Sequence, residues 1–421
     1  RQKVMLLAPT GRAAKVFSLG SGAPAYTIHR RIYREKAFAG VDGQFSLNDN
    51  LYTDTLFMVD EASMIANMGL GGTTFGSGCL LDDLVKFVYQ GHNDRLLLIG
   101  DKAQLPPVGE EESPALSASV MEGYGLKVYE CDLNEVLRQS QSSGILYNAT
   151  LIRQMITHDA VTGLPLVRFK GFADIVMMPG AELVESLGDS YHHVGMDETM
   201  VITRSNKRAN IYNNGIRNMV LDREEELSSG DMLMIVKNNY FWTEKEKKES
   251  GEGSAGAVPV FLANGDRAKV LRVSNYIELY GFRFATLLLQ LPDYDDYEMQ
   301  VTGMLDTLQS EAPALTHEQQ EELFRQVEED YQHFVPLKAD RMKSIRQDAY
   351  FNALQIKYAY AVTCHKAQGG QWAHVYVDQG YMTDDMLTPD YIHWLYTAFT
   401  RATDKLFLVN WPKEQTCEPT D

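Results

Sequence analysis

Short apolar runs, each followed by polar, glycine or proline residues, mark the N-terminal part of the chain. They cover residues 4–8, 56–59 and 96–99. Runs of this length without alternation are typical of parallel strands that are buried on both faces. Residues that follow such strands meet at the carboxyl edge of the sheet, where open α/β proteins bind ligands. The pattern therefore predicts a ligand site at that edge. Its polar residues are Asp60, Glu61, Asp101 and Gln104.

A second group of apolar runs predicts another α/β region in the C-terminal half. Strand candidates are residues 199–203, 358–362 and 375–377. Between them lie a β-rich insertion at residues 230–291 and an acidic stretch at residues 316–347 with apolar residues at helical spacing. We therefore predict two α/β domains with parallel sheets, residues 1–158 and 159–421, and a β-rich insertion in the second.

Composition narrows the class of protein. The chain has 421 residues, 44% of them hydrophobic, which suits two or three folded domains and excludes a disordered chain. Its four cysteines form no CxxC pair, which predicts a reduced, cytoplasmic protein without a zinc ribbon or disulfide framework. A formal charge of -18 argues against a protein that coats nucleic acid non-specifically. It does not exclude an enzyme with a narrow DNA track, because only the local potential in the groove matters there.

Two of the strand ends carry candidate chemistry. Residues 56–61 read Leu-Phe-Met-Val-Asp-Glu, a pattern in which Asp60 holds Mg²⁺ through water and Glu61 takes the proton of the attacking water. Taken alone, such a segment is as often a surface turn. Residues 100–108 follow the next strand, and Gln104 within them can hydrogen-bond a γ-phosphate while the two prolines stiffen the loop.

Further motifs occur in a fixed order along the chain. They are residues 7–15 (Leu-Ala-Pro-Thr-Gly-Arg-Ala-Ala-Lys), 26–30 (Tyr-Thr-Ile-His-Arg), 133–139 (Leu-Asn-Glu-Val-Leu-Arg-Gln), 363–369 (Thr-Cys-His-Lys-Ala-Gln-Gly) and 395–402 (Leu-Tyr-Thr-Ala-Phe-Thr-Arg-Ala). Together with the two strand ends, this set resembles the RecD/TraA branch of superfamily 1 DNA helicases, which includes the exodeoxyribonuclease V alpha subunit. The resemblance runs from Pro9 to Arg401 and so covers nearly the whole chain.

The resemblance implies a P-loop NTPase fold with two RecA-like motor domains, an SH3-like insertion, and movement 5′ to 3′ on single-stranded DNA. It implies ATP and Mg²⁺ as cofactors, with Arg138 and Arg401 on the γ-phosphate. Single-stranded DNA, duplex junctions and subunits of a repair or recombination complex are the implied partners. Residues expected beside the nucleotide are Gln368, Gly369, Gly100 and Asp101. Residues expected on DNA are Pro9, Thr10, Thr27, His29, Asn238, Asn239, Thr363 and His365.

Each of these residues also has an ordinary structural alternative. A threonine taken singly is more often a helix cap, and an arginine in an isolated triplet is usually a surface residue. Asn238 and Asn239 suit a turn equally well. His29 and His365 are not expected to bind a metal, since no cluster has ligand spacing. An ordinary kinase or metabolic ATPase explains neither residues 365–370 nor residues 397–402.

One element of such a motor does not occur in the sequence. No segment of the form GxxxxGK(S/T), which cradles ATP phosphates, is present, and the glycine-rich residues 71–78 have no lysine at the required place. Two explanations remain: a truncated helicase, whose phosphate loop precedes Arg1, or a non-catalytic DNA-binding or scaffold module derived from a helicase. The joint presence of Asp60, Glu61, Gln104 and the two arginines favours truncation, and we expect these 421 residues alone to be inactive as an ATPase.

Overall fold

The computed structural model describes residues 3–35, 45–68, 76–133, 142–158, 163–250, 258–259 and 261–417. Two compact units form, Arg1–Arg204 with Thr363–Asp421, and Ser205–Val362. The strands are β1 Lys3–Ala8, β2 Ala25–Thr27, β3 Tyr33–Glu35, β4 Phe45–Leu47, β5 Thr55–Val59, β6 Arg95–Leu98, β7 Ile175–Met178, β8 Thr199–Thr203, β9 Met232–Ile235, β10 Arg267–Leu279, β11 Phe282–Leu291, β12 Tyr297–Met304, β13 Leu354–Tyr358, β14 Ala361–Thr363, β15 Trp372–Asp378 and β16 Ala402–Val409. The helices are α1 Gly11–Ser21, α2 Ile28–Ile32, α3 Leu80–Gln90, α4 Ala118–Glu122, α5 Gly144–Thr157, α6 Leu183–His193, α7 Asn206–Gly215, α8 Phe241–Ser250, α9 His317–Gln332, α10 Lys338–Arg346, α11 Cys364–Ala367 and α12 Pro389–Phe399.

The first unit begins with a parallel sheet in the order β2-β1-β5-β6. Leu7 pairs with Val59 and Ala8 with Thr27, so the carboxyl ends of neighbouring strands lie level. Leu7, Phe57 and Val59 are fully buried and belong to one core with the apolar face of α3. The three apolar runs at the N-terminal end of the sequence are therefore the strands β1, β5 and β6, as predicted.

A second parallel sheet in the first unit has the order β8-β15-β16-β7, and β14 extends it beyond β8 where the chain passes between the units. Val377 pairs with Ile202, and Tyr376 with Phe407. Every residue of β8 is buried, as expected of a central parallel strand. Helix α5 packs against α12 and β16 of this second group, although its residues fall in the first of our two predicted domains.

The second unit contains a closed barrel in the order β10-β11-β12-β13-β9. The fold class predicted from sequence, two parallel α/β sheets and a small barrel, is confirmed. The barrel includes more chain than residues 230–291, because β12 and β13 complete it. In β12 the buried Met299 and Val301 alternate with outward polar residues such as Glu298, and the strand begins inside the acidic run at residues 293–298.

The predicted strand at residues 358–362 is divided between two sheets. Tyr358 ends β13 in the barrel, whereas β14 begins at Ala361 and pairs in the second parallel sheet. The acidic stretch at residues 316–347 is a pair of helices, α9 and α10, and α9 begins with a capping box between Thr316 and Gln319. No helix in the described part of the chain is long and apolar enough to span a membrane.

Candidate nucleotide and nucleic-acid site

The carboxyl edge of the first sheet brings the predicted site residues together. Strands β2, β1, β5 and β6 are neighbours in that order, and they end at Thr27, Ala8, Val59 and Leu98. Polar residues follow each end along this edge. They are Thr27, Pro9 and Thr10, Asp60 and Glu61, and Gly100 and Asp101. Sequence reasoning predicted this common edge from the strand pattern, and the register of the sheet confirms it.

Asp60 and Glu61 occupy a tight turn after β5. The backbone N–H of Asp60 donates to the Leu7 carbonyl at 3.0 Å, and that of Glu61 donates to Asp60 Oδ1 at 2.9 Å. Glu61 has φ 54° and ψ 36°, a left-handed conformation that costs a non-glycine residue about 1 kcal/mol or more. Such conformations concentrate at functional sites, because the surrounding structure must hold them.

Gly100 allows the ends of β5 and β6 to approach closely. The N–H of Ala62 donates to the Ile99 carbonyl at 2.8 Å, and a Cβ on Gly100 would lie 3.0 Å from the backbone nitrogen of Ser63. A side chain at position 100 would therefore push the loop that follows β6 away from Glu61. This contact gives Gly100 a steric role beside the predicted nucleotide site.

The loop after β6 is held by side chains of α5 and α12. Asp101 Oδ1 accepts from Arg153 Nη1 at 2.5 Å and from the Ala103 N–H at 3.0 Å, and Oδ2 accepts from the Tyr396 hydroxyl at 2.5 Å. The pKa of the Tyr396 hydroxyl is raised to about 12, mainly because the group is buried and also because the Asp101 carboxylate lies beside it. His393 Nδ1 lies 2.9 Å from the Ala103 carbonyl oxygen.

Both backbone groups of Leu105 bond to motifs of the second sheet. Its N–H donates to Thr397 Oγ1 at 2.8 Å, and its carbonyl accepts from Gln368 Nε2 at 2.7 Å. Gln368 is 8% exposed and Leu105 is 4% exposed, so water competes little for these bonds. The loop at residues 101–105 is therefore fixed to the segments that begin at Thr363 and Leu395 in the sequence.

Gln104 stands in the middle of this fixed loop. Its N–H donates to the Asp101 carbonyl at 3.1 Å, whereas its side-chain Oε1 is buried and has no hydrogen-bond partner among the described residues. A buried amide oxygen without a donor costs free energy, and such atoms mark places where a ligand can complete the bonding.

Arg401 is buried at 3% exposure behind the Gln368–Gly370 turn. Its Nε donates to the Thr397 carbonyl at 3.1 Å, and its Nη1 donates to the Gly370 carbonyl at 3.0 Å. Gly369 has φ 73°, and a Cβ there would lie 3.4 Å from Thr10 Oγ1. The predicted nucleotide-side residues Gln368, Gly369 and Arg401 are thus neighbours of one another.

The predicted DNA-contact residues of the first unit lie at helix starts. Thr10 caps α1 by accepting from the Ala13 N–H, and Thr27 caps α2 by accepting from the Arg30 N–H. Thr363 precedes α11, and His365 in that helix is exposed. His29 is half-buried, and desolvation lowers its pKa to about 4, so its imidazole is neutral at pH 7. Hydroxyls and neutral imidazoles at helix starts suit phosphate oxygens.

Asn238 and Asn239 lie in the barrel unit and have internal partners. Asn238 Oδ1 accepts from the Asn264 N–H at 2.7 Å, and Asn239 Nδ2 donates to the Asn352 carbonyl at 2.9 Å. These bonds match the turn-forming alternative, and their predicted contact with DNA stays a prediction. Arg138 lies outside the described residues.

The acidic part of the site fits Mg²⁺ that is bound chiefly by phosphate oxygens. Such a metal needs only one or two protein carboxylates, and Asp60 supplies one beside Glu61. In the described residues, no group of three or more His, Cys, Asp or Glu side chains could hold a metal without such help.

Residues without a predicted role complete this site. Arg153 on α5 has no recognisable signal in the sequence, whereas Tyr396 and Thr397 lie inside the motif at residues 395–402. Arg12 and Trp372 also contact each other, with the guanidinium carbon 4.5 Å from the ring centroid. The motif pattern located these segments, and the structure shows which side chains join them.

Comparison with known proteins gives two family matches. Residues 1–163 match the AAA domain, and residues 358–409 match the UvrD-like helicase C-terminal domain. The chain is 22% identical over 396 residues to an uncharacterised protein, R530, of Acanthamoeba polyphaga mimivirus, with 83% of this chain and 74% of that protein covered. The two family matches support a superfamily 1 helicase, and they leave the RecD/TraA subtype as a prediction.

Solved structures of low similarity include two Pif1 helicases. A Bacteroides Pif1 in complex with ADP-AlF3 and ssDNA is 13% identical with a TM-score of 0.46, covering 100% of this chain and 85% of that one. A Candida albicans Pif1 is 14% identical with a TM-score of 0.38, covering 99% and 86%. At these scores the likeness carries no functional argument.

Proposed function

We propose that this chain forms the motor of an ATP-dependent DNA helicase or translocase of the RecD/TraA type, moving 5′ to 3′ on single-stranded DNA. The observation that carries the proposal is the loop at residues 101–105. It lies beside the Asp60–Glu61 turn, and it is bound by residues of α5, α12 and the segment after α11. A change at the nucleotide is thereby passed to the second sheet.

In this proposal Asp60 holds Mg²⁺ through water, and Glu61 accepts the proton of the attacking water. Gln104 Oε1, which has no hydrogen-bond partner among the described residues, accepts a hydrogen bond from that water and orients it, while the amide Nε2 donates to the terminal phosphate. Hydrolysis of ATP supplies the free energy, and the residues of this chain convert it into movement of one sheet against the other.

Two assignments change in the light of the contacts. The Asp101 carboxylate is occupied by Arg153, Tyr396 and the Ala103 N–H, so we infer that it positions the loop and does not bind the nucleotide directly. Arg401 donates to two backbone carbonyls in this state, so its proposed contact with the γ-phosphate uses its remaining donors or a rearranged side chain. Arg138 keeps its proposed place on the γ-phosphate.

Single-stranded DNA is proposed to follow Pro9, Thr10, Thr27, His29, Thr363 and His365. Short neutral donors at helix starts bind phosphate oxygens without reading bases, which suits a translocase that passes over any sequence. Asn238 and Asn239 contribute from the barrel unit. Duplex junctions and subunits of a repair or recombination complex are further proposed partners.

Turnover of ATP tests the catalytic part. The assay uses the natural protein, because no GxxxxGK(S/T) segment occurs in these 421 residues. Glu61→Gln is expected to lower DNA-stimulated turnover by about 100-fold or more, since proton transfer contributes about 10²–10⁴-fold. Glu122→Gln, at an exposed carboxylate of α4, is the matched control and should retain full turnover.

Unaltered turnover in Glu61→Gln would refute the proposed base. DNA binding by a natural protein that has no phosphate loop and hydrolyses no ATP would instead establish the second candidate, a non-catalytic DNA-binding or scaffold module. The absence of GxxxxGK(S/T) from these 421 residues is the observation that favours this candidate.

Direction is tested separately with partial duplexes that carry a single tail. Unwinding is expected with a 5′ tail and not with a 3′ tail. The reverse preference would contradict the RecD/TraA assignment while leaving the motor itself in place.

A further inference from the structure

We propose that Arg12 is a positioning residue that transmits DNA occupancy at Thr10 to the Gln368–Trp372 segment, and from there to the loop that carries Gln104. The inference rests on the proposed function, since it needs single-stranded DNA at Thr10. It concerns a contact between α1 and the segment that follows α11.

Arg12 makes two contacts with the second sheet. Its Nη2 donates to the Gln371 carbonyl at 2.7 Å, and its guanidinium stacks 4.5 Å from the centroid of the Trp372 ring. Trp372 is 2% exposed, so the stacking surface is shielded from water. Cation–π pairs of this kind are stronger when desolvated, and the planar guanidinium can stack and donate at once.

Gly370 lets the guanidinium lie against the backbone. A Cβ at that position would lie 2.8 Å from Arg12 Nε and 2.5 Å from the Trp372 ring. The Gly370 carbonyl accepts from Arg401, and the next carbonyl, that of Gln371, accepts from Arg12. Two arginines therefore hold successive peptide groups, one from the predicted nucleotide side and one from the predicted DNA side.

The contacts form a continuous path. Thr10 caps α1, and Arg12 lies in the first turn of that helix, so a shift of the turn when DNA binds must move Arg12 as well. At the other end of the segment, Gln368 donates to the carbonyl of Leu105, the residue after Gln104. Each step of this path is a hydrogen bond, a ring contact or a short stretch of connected backbone between described residues, and such contiguous networks can carry coupling.

Amide hydrogen exchange in this chain tests the path without a need for ATP. A short oligothymidylate is added to the wild type and to Arg12→Ala, and exchange is followed in peptides that cover residues 101–105 and 368–372. In the wild type, DNA is expected to slow exchange in both peptides. In Arg12→Ala the DNA affinity should stay within about threefold, while the DNA-induced protection falls at least about fivefold.

Further variants separate coupling from folding. Trp372→Phe keeps an aromatic face and is expected to keep most of the transmission, whereas Trp372→Leu should lose it as Arg12→Ala does. Lys86→Ala removes one positive charge from an exposed pair on α3 and is the matched control, with protection unchanged.

Three results would contradict either the proposed function or the role of Arg12, and each result identifies which of the two is wrong. If the wild type does not bind the oligonucleotide, the proposed function fails. If Arg12→Ala binds DNA normally and shows undiminished protection at residues 101–105, the inference alone fails. If Arg12→Ala loses affinity by more than about tenfold, Arg12 is a phosphate contact, and the positioning role is overturned.

Discussion

Two carboxylates of the chain, Asp101 and Asp231, bind the same kinds of partner in different surroundings. Asp101 accepts from Arg153 and from the Tyr396 hydroxyl, both outside its own loop. Asp231 at the start of β9 accepts from two arginines and a tyrosine of the barrel unit. They are Arg217 at 3.1 Å, Arg223 at 2.7 Å and Tyr360 at 2.7 Å.

The two clusters differ in how deeply their side chains are buried. The Asp231 side chain is 0% exposed and that of Arg217 is 4% exposed, whereas Asp101 and Arg153 are 22% and 40% exposed. A buried charge that loses its partner is left in a medium that solvates it poorly, so the Asp231 cluster locks one arrangement. Water can replace partners of Asp101 at lower cost, so that cluster can loosen and reform, as the proposed motor requires. The same types of side chain thus hold a fixed arrangement around Asp231 and a more easily rearranged one around Asp101.

A third carboxylate, Asp266, shows how the pKa of a buried carboxyl behaves when hydrogen bonds are its main partners. Asp266 is 2% exposed and accepts from the Tyr294 hydroxyl at 2.6 Å and the Ala263 N–H at 2.8 Å. Desolvation raises its pKa to about 7, with the neighbouring Asp293 adding to the effect. The two hydrogen bonds lower the pKa of this carboxyl, but they do not offset the desolvation that raises it.

The largest expected effect is on the stability of the barrel. Asp231→Asn leaves Arg217 buried without its counter-charge and is expected to lower the free energy of unfolding by about 3–5 kcal/mol. The urea dependence of amide protection in β9 to β13 measures this. Glu226→Gln removes a half-exposed partner of Arg283, which also pairs with Asp306, and, as the control, should cost less than about 1 kcal/mol. Equal losses in the two variants would contradict the role given to burial.

An intermediate effect is expected on turnover. Asp101→Asn should slow DNA-stimulated ATP hydrolysis by about 2- to 30-fold, since residues on a coupling path change coupling by about 0.5–2 kcal/mol. Its loss of unfolding free energy should be smaller than that of Asp231→Asn. Asp49→Asn, at an exposed pair with Arg34, is the control. If Asp101→Asn keeps normal turnover but loses much of its unfolding free energy, the Asp101 cluster stabilises the fold in the same way as the Asp231 cluster, and the proposed difference is wrong.

A pH dependence of the stability of the barrel is also expected. The pKa of Asp266 rises from 3.8 to about 7 on folding, so its stabilising contribution is complete below about pH 4 and is lost as the pH rises through about 7. The free energy of unfolding of β9 to β13, measured in urea, should therefore decline between about pH 4 and about pH 7, and Asp266→Asn should remove this decline. An identical slope in both proteins would show that another group titrates.

The sequence predicted those parts of the fold and site that depend on local pattern. Continuous apolar runs identified β1, β5 and β6, and the meeting of parallel strand ends then placed Asp60 and Glu61 near Gly100. It did not predict β12, because outward polar residues such as Glu298 in an acidic run hid the alternation of Met299 and Val301. It also assigned residues 358–362 to one strand, since nothing local marks the change of sheet after Tyr358.

Hydrogen bonds and ion pairs between residues far apart in the sequence could be found only from the tertiary structure. Arg153 has no motif, and only the packing of α5 on α12 brings it to Asp101, 52 positions away. The motifs from Pro9 to Arg401 and their order could be found from the sequence, because each motif is a short run of residues beside a strand end. Which donor serves which carbonyl, as with Gln368 on Leu105 and Arg12 on Gln371, was decided by the folded chain, because a hydrogen bond needs its two atoms at one distance and angle that no spacing in the sequence specifies.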